Sequence, residues 1–417
     1  MVNYRISELV EKIYVMAEKI RVLRILNRFN LGGPTYNASQ LTKHLEPDFE
    51  TLLIGGPNEL NEHDSLHIPH SLGIEPVIIE SMRRSMNFVL DRAAYRDVKK
   101  IIADFRPHIV HTHASKAGAV GRSAAYKMKV PIIVHTYHGH VFEAYFSSLI
   151  SSFYKTIERN LARKTDAIVA LSVRQQADLV SRFRICNKDQ VHVIANGFDL
   201  TKFQEEKAIK RSLFRKKYQL QDDEFAIGII GRMVPVKNHT MFVDVVDRVS
   251  QLHRGKVRYF VVGDGETNLE VRHRFNQKNI ATNDNTDPDT MVHFTSWQKN
   301  VDEIMSGLDL LVLTSLNEGT PVCLIEAQAS NCPVVSTDVG GIRDIVIDGK
   351  TALLSPSQNV ETMSRNIVKL ITDKILYESM SSQGWEFVGE RFQYQRMVED
   401  MKALYYNLIE LKKVKLD

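Results

Sequence analysis

Glu318 and Glu326 stand in the run Asn317-Glu318-Gly319-Thr320-Pro321-Val322-Cys323-Leu324-Ile325-Glu326-Ala327. Two carboxylates can accept hydrogen bonds from hydroxyl groups or face a developing positive charge. The residues around them also offer a place for an anion. An apolar strand pattern at 308–313 precedes the run, and an apolar helix pattern starts inside it. The first N–H groups of a helix have no internal partner and the helix dipole is positive there, so a strand that turns into a helix can hold phosphate. The pattern predicts Thr320 as N-cap and Pro321 as the first helical residue. The amides of Val322 and Cys323 are then left open beyond the helix end. Glu326 falls in the second turn, and helical side chains tilt toward the N-terminus. Two carboxylates, a dipole and bare amides therefore converge on one ligand that carries both phosphate and hydroxyl groups. On this run alone, an ordinary strand-turn-helix is the alternative.

A second element shifts the balance. The run Ile229-Ile230-Gly231-Arg232-Met233-Val234-Pro235-Val236-Lys237-Asn238 also follows a strand pattern, and it supplies two cations. Together the two elements resemble glycosyltransferase family 4, the retaining sugar-nucleotide enzymes of the GT-B fold. That family pairs a Gly-Arg…Lys element with two glutamates that have seven residues between them, as Glu318 and Glu326 do. Pro333-Val334-Val335-Ser336-Thr337-Asp338-Val339-Gly340-Gly341 is also typical of it, and the resemblance covers nearly the whole chain from about Val22.

The resemblance implies roles. Glu326 holds the ribose hydroxyls, and Glu318 contacts the transferred sugar near its anomeric carbon. Gly319, Thr320 and the amides of Val322 and Cys323 cradle the diphosphate with Arg232 and Lys237. Cleaving a sugar–diphosphate bond leaves negative charge on the departing phosphate, which fixed cations stabilise most in the transition state. Arg binds phosphate bidentately and Lys acts as a point charge. Gly32 and Gly33, after the first strand, correspond to the loop that closes on donor diphosphate and acceptor. Thr136-Tyr137-His138-Gly139-His140 resembles the loop beside the donor sugar, with His138 as a hydroxyl or carbonyl partner. Gly263, in Gly263-Asp264-Gly265-Glu266, falls near the nucleotide. The following segment, His293-Phe294-Thr295-Ser296-Trp297, departs from the usual Phe-Leu-Gly. Lys116 faces either an acceptor phosphate or a neighbouring carboxylate. Arg83 and Arg84 are acceptor-side candidates, with a solvated surface as the alternative.

Strand patterns at 22–27, 51–54, 76–79, 108–111, 131–136, 166–171 and 190–195 alternate with helical stretches. A second series occupies 225–230, 258–262, 292–295, 308–313, 333–336 and 352–354. Apolar strands separated by helices predict parallel sheets covered on both faces, and two series predict two doubly wound domains. The expected fold is thus α/β of GT-B type, two Rossmann-like domains facing across a cleft. The expected order is an amphipathic extension at 1–20, an acceptor-side domain at 21–200, a nucleotide-sugar domain at 201–388 and a crossover helix at 389–417. Met397, Val398, Met401, Leu404, Tyr405 and Leu408 form the apolar stripe of that last helix, which the family folds back onto the first domain. Residues 281–290 read as a polar surface insertion.

Composition is that of a globular protein of 417 residues, 43% hydrophobic and 25% charged. No run of apolar residues is long enough to span a membrane, and residues 1–20 are too charged for a signal peptide. Three scattered cysteines suit a reducing cytoplasm, with no disulfide framework. Residues 1–200 hold 26 Lys and Arg against 20 Asp and Glu. That surplus suits an anionic surface at the inner face of the plasma membrane, a phosphate-bearing acceptor, or a plain solvated face. Nothing points to nucleic acid. Eleven of fifteen histidines precede residue 200, but no acidic or thiol ligand accompanies them closely, so no metal is expected. The expected activity is transfer of a hexose or N-acetylhexosamine from a nucleotide-diphosphate donor, by preference UDP-linked, to a hydroxyl of a glycan or lipid-linked glycan. The donor is a co-substrate and no cofactor is expected. The rivals are a phosphorylase-like GT-B enzyme and a non-catalytic glycosyltransferase-like subunit.

Overall fold

A computed structural model describes residues 19–30, 32–59, 65–83, 87–138, 148–284, 286–287 and 290–416. The chain divides into two compact units, Met1–Phe198 with Tyr394–Asp417, and Asp199–Gln393. The N-terminal extension at 1–18 lies outside the described residues.

The first unit is built on a seven-stranded parallel sheet of β1 (Ile20–Arg28), β2 (Phe49–Gly56), β3 (Val77–Ile78), β4 (Ile109–His113), β5 (Ile132–Thr136), β6 (Ala167–Ala170) and β7 (Val191–Val193), in the order β3-β2-β1-β4-β5-β6-β7. Parallel strands covered on both faces read as unbroken apolar runs. β1 fits that pattern, with Ile20, Val22, Leu23, Ile25 and Leu26 all buried, and Arg24 is the exception among them. The last helix, Tyr394–Lys412, completes one face of this unit. Met397, Val398, Met401, Leu404, Tyr405 and Leu408 join Ile20, Val22, Leu41, Phe49 and Val134 in a single core. Each fully buried apolar side chain contributes about 1.5–3 kcal/mol, so the helix is an integral part of that core. It begins after an extended Gln393, a few residues later than the expected crossover segment.

The second unit repeats the plan with β8 (Phe225–Ile230), β9 (Val257–Val262), β10 (Thr282–Asn283), β11 (Val292–Ser296), β12 (Leu310–Leu313), β13 (Val334–Thr337) and β14 (Ala352–Ser355), ordered β10-β11-β9-β8-β12-β13-β14 and all parallel. β10 corrects the sequence reading. It lies inside the polar 281–290 insertion, where Thr282 and Asn283 pair with Val292 and His293 as an edge strand. Such an edge is held by backbone pairing and needs no apolar pattern to mark it.

Each sheet has one point where the chain reverses its direction of travel, between β1 and β4 and between β8 and β12. In open α/β sheets ligands bind outside the carboxyl ends of strands at such points. Gly32 lies in the loop after β1 and Gly33 opens the helix that follows, while Lys116 stands in the first turn of the helix after β4. The loops after β8 and β12 carry Arg232, Lys237 and Glu318.

Candidate active site

In the second unit the loops after β8 and β12 are tied together. Thr314 Oγ1 lies 3.0 Å from the Lys237 carbonyl and 2.9 Å from that of Asn238, and the Leu316 amide donates to Val236. A short 3₁₀ turn at Pro235–Lys237 then aims Lys237 across the gap, where Nζ meets Glu318 Oε1 at 2.5 Å. Ser315 Oγ donates to the same oxygen at 2.6 Å. The carboxylate is thus fixed by one cation and one hydroxyl. Arg232 is exposed, and its guanidinium makes no hydrogen bond or ion pair among the described residues.

The helix after β12 starts one residue later than the pattern predicts. It spans Val322–Ala329, with Pro321 as N-cap at φ −70°, ψ 109° and no side-chain cap. Thr320 is therefore not the cap. A residue before proline is held extended, and here proline is extended as well. The amide of Leu324 bonds back to Pro321, while those of Val322 and Cys323, first in the helix, have no intrahelical acceptor. Burial pushes the Cys323 thiol up to about 12, and the charges of Lys237, Glu318 and Glu326 all act on it. The Lys237–Glu318 pair and Glu326 are thus near enough to the first turn for their charges to act on Cys323.

Glu326 is half-buried, and its carboxyl makes no hydrogen bond among the described residues. Burial pushes it up to about 7 from 4.5, with Lys202 pulling it down and Asp302 adding to the rise. A carboxyl with a raised folded pKa costs stability as pH climbs from the unfolded value to the folded one. Glu326→Gln is therefore expected to stabilise the ligand-free protein above pH 7. The gain should shrink to nothing as pH falls to 4.5. Denaturant midpoints measured against pH check this. A difference that ignores pH would show that the carboxyl is not perturbed.

Glycines brace both loops from behind. A Cβ on Gly263, at φ +127°, would lie 2.1 Å from the Gly231 carbonyl oxygen, and one on Gly265 2.3 Å from that of Met233. Gly263 also donates to Ser296, so its glycine is explained by packing alone. Gly340, at φ +57°, and Gly341 stand in the same relation to Glu318 and Gly319, with Cβ positions 1.9 and 2.0 Å from their carbonyl oxygens. Gly319 differs, since a Cβ there meets nothing within 4 Å.

In the first unit, Gly32 precedes the helix Gly33–His44. A Cβ on either glycine would approach nothing nearer than 3.7 Å. Packing requires neither residue to be glycine. Lys116 meets a carboxylate, with Nζ 2.5 Å from Asp91 Oδ1. Arg83 is occupied by Glu80 at 2.8 Å, and Arg84 lies outside the described residues. Ala114, between β4 and the helix Ser115–Lys127, sits at φ +65°, ψ 167°, a region normally left to glycine. His138 follows β5, with Nε2 2.9 Å from His113 Nδ1. His111, His113 and His135 are buried and packed with Arg24, Tyr405, Thr112 and Thr136, and His140 lies outside the described residues. Among the described residues no group of three or more His, Cys, Asp or Glu is placed to hold a metal.

Sequence reasoning missed Thr314, Ser315 and Arg24, and placed Tyr405 only in the apolar stripe of the last helix, without its hydroxyl contacts to Arg24 and His111. Thr314 and Ser315 carried a faint signal, two hydroxyls directly after an apolar strand. A charged residue in the middle of an apolar strand, Arg24, was the stronger one.

Two Rossmann-like units, each a seven-stranded parallel sheet with one switch point, are the architecture of the GT-B fold. Residues 39–202 match the model described as Glycosyltransferase Family 4, and residues 210–387 match Glycosyl transferases group 1. The chain belongs to glycosyltransferase family 4 and is a glycosyltransferase. It is similar to the UDP-Gal:alpha-D-GlcNAc-diphosphoundecaprenol alpha-1,3-galactosyltransferase of Escherichia coli, 26% identical over 338 residues, 81% of this chain and 84% of the relative. It is also similar to the capsular polysaccharide biosynthesis glycosyltransferase CapM of Staphylococcus aureus, 26% identical over 77% of this chain and 83% of that protein. Among solved structures, Anabaena Alr3699/HepE in complex with UDP has a TM-score of 0.77 at 17% identity, covering 93% of this chain and 100% of that one. The fold is also that of sucrose-phosphate synthase from Thermosynechococcus elongatus, with a TM-score of 0.75 at 19% identity over 94% and 100%. No helix among the described residues is long and apolar enough to cross a membrane.

Proposed function

We propose that this chain moves a sugar, with retention at its anomeric carbon, from a UDP-sugar to a hydroxyl of a glycan or lipid-linked glycan. The observation that carries this reading is the Lys237–Glu318 ion pair, whose charges, with that of Glu326, act on Cys323 in the first turn of the helix Val322–Ala329, with Arg232, which makes no ion pair among the described residues, nearby in sequence. Glu326 takes the ribose hydroxyls, for which its ionised form offers only acceptors. Arg232, Lys237 and the amides of Val322 and Cys323 take the diphosphate, and Glu318 faces the developing charge on the sugar. Gly319 leaves clearance that no protein atom fills within 4 Å, and Gly32 and Gly33 are not required by packing, which suits close approach of a ligand to backbone. His138 meets the donor sugar. UDP is preferred because the HepE structure holds UDP and the Escherichia coli relative is named for UDP-Gal. A lipid-linked acceptor is supported by that relative's diphosphoundecaprenol acceptor, and peripheral contact with the inner face of the plasma membrane is suggested by the basic first half of the chain. Lys116 keeps its acceptor role only if an acceptor phosphate displaces Asp91.

Thermal stabilisation by UDP, with slow hydrolysis of a UDP-sugar, is the expected result. Stabilisation by inorganic phosphate alone would favour a phosphorylase-like enzyme. Binding without hydrolysis or transfer would favour a non-catalytic subunit. Within the site, Glu326→Ala should mainly raise donor KM, because ribose contacts exist in the ground state. Glu318→Ala should lower kcat more than it raises KM, and the reverse pattern would exchange the two roles.

A further inference from the structure

Arg24 is wholly buried in the first unit, and no carboxylate pairs with it among the described residues. Histidines and a tyrosine accept its hydrogen bonds instead. Nη1 lies 3.1 Å from His111 Nδ1 and 3.3 Å from His113 Nε2, and Nη2 donates to Tyr405 at 3.3 Å. A guanidinium has donors and no acceptor, and a neutral imidazole has one of each. Both facing ring nitrogens must therefore accept. His111 then carries its proton on Nε2, which lies 2.7 Å from Thr136 Oγ1. His113 carries its proton on Nδ1, which lies 2.9 Å from His138 Nε2. His138 Nε2 must accept in turn, so the His138 proton sits on Nδ1. That nitrogen is buried and has no partner among the described residues. A buried donor left unpaired is costly and calls for an acceptor.

We propose that Arg24 is a positioning residue for sugar transfer, acting through His113 to hold His138 as an Nδ1–H donor toward an oxygen of the donor sugar. This rests on the reading that His138 meets that sugar. A second proton on His138 would point at the His113 N–H, so the chain of bonds also opposes charging of the ring. Burial holds His138 down to about 3, in the same sense. His113 lies well below its usual range through burial and the nearby His111, His138, Arg24 and His135. Tyr405, from the last helix, closes the cluster on the far side. An unprotonated Nδ1 would reverse the preference, from oxygen acceptors to hydroxyl donors.

The test uses the full chain with ¹⁵N-labelled histidine and long-range ¹H–¹⁵N correlation spectra, with the His138 signals assigned by their loss in His138→Gln. The wild type and Arg24→Lys, which keeps a donor, should both show the Nδ1–H form of His138. Arg24→Met should show a mixture of tautomers or the Nε2–H form, at unchanged secondary structure. Donor turnover should fall about tenfold in Arg24→Met, the scale of one misdirected hydrogen bond, and recover in Arg24→Lys. Should Arg24→Met fail to fold, His113→Phe breaks the same chain and should release His138 likewise. An Nε2–H form in the wild type overturns the proposal, as does an unaltered Nδ1–H form in folded Arg24→Met or His113→Phe. If the tautomer is as stated but His138→Gln turns over donor like wild type, the reading of His138 at the sugar fails, and the reaction role of Arg24 fails with it.

Discussion

Lys237→Ala is expected to lower kcat by about 10²–10³, roughly 2.7–4 kcal/mol of transition-state stabilisation, by analogy with a lost oxyanion donor. Lys237 and Arg232 follow β8, Lys237 acts electrostatically on Cys323 at the helix start, and on the proposed reading these groups supply the positive charge a departing diphosphate needs. The structure adds a complication, because Lys237 also holds Glu318 at 2.5 Å. A loss of rate on removing Lys237 alone does not distinguish a lost cation from a misplaced carboxylate. A double-mutant cycle separates the two effects. In a Glu318→Gln background, Lys237→Ala should still cost most of its factor if the ammonium stabilises the leaving group. It should cost almost nothing if the lysine serves only to hold Glu318. Lys237→Arg should rescue partly, since the two cations differ in shape and in donor geometry. The same assignment expects turnover to survive excess EDTA. Loss on chelation with recovery in Mn²⁺ would overturn it and direct attention to Asp287 and to Asp289, which lies outside the described residues.

Much of this arrangement was readable from the chain because buried parallel strands are written as apolar runs. β8 occupies the predicted 225–230 segment, and the stripe from Met397 to Leu408 is buried as its helical spacing requires. The placement of Glu318, Glu326 and Lys237 at strand ends and a helix start was legible for a different reason. Each lies a short, fixed distance beyond a strand end or within a first helical turn, so local geometry places it. What escaped was whatever depends on contact between distant segments. β10 is made by pairing with β11 and has no apolar signature. The Arg24 cluster joins residues 381 positions apart in the chain, from β1 to Tyr405. The helix cap moved from Thr320 to Pro321 because the backbone conformation around a proline outweighed the hydroxyl preference at that position. Glycine also hid its purpose, since Gly263, Gly319 and Gly340 look alike in the sequence while their surroundings differ completely.

That difference gives the second large effect. Gly340→Ala places a methyl group 1.9 Å from the Glu318 carbonyl oxygen, at φ +57°. The left-handed backbone alone costs about 1–2 kcal/mol for a residue with a side chain. Relieving the clash requires the Glu318 loop to move by roughly an ångström, and a misplacement of that size costs on the order of 10²-fold in rate. The variant should therefore lose about 2–8 °C of thermal midpoint along with its activity. Gly319→Ala should behave in the opposite way. Its methyl meets no protein atom within 4 Å and its φ is not in the left-handed region. Stability should hold or rise slightly, because alanine restricts the unfolded chain. Donor KM should nevertheless rise at least about tenfold, or ~1.4 kcal/mol, since the open space before Gly319 is where the diphosphate or sugar would approach the backbone. Measuring midpoints and donor kinetics on both variants separates a glycine kept for packing from one kept for a ligand. A Gly319→Ala enzyme with unchanged donor kinetics would place the donor away from this loop, and the roles given to Glu318 and to the Val322 and Cys323 amides would have to be reassigned with it.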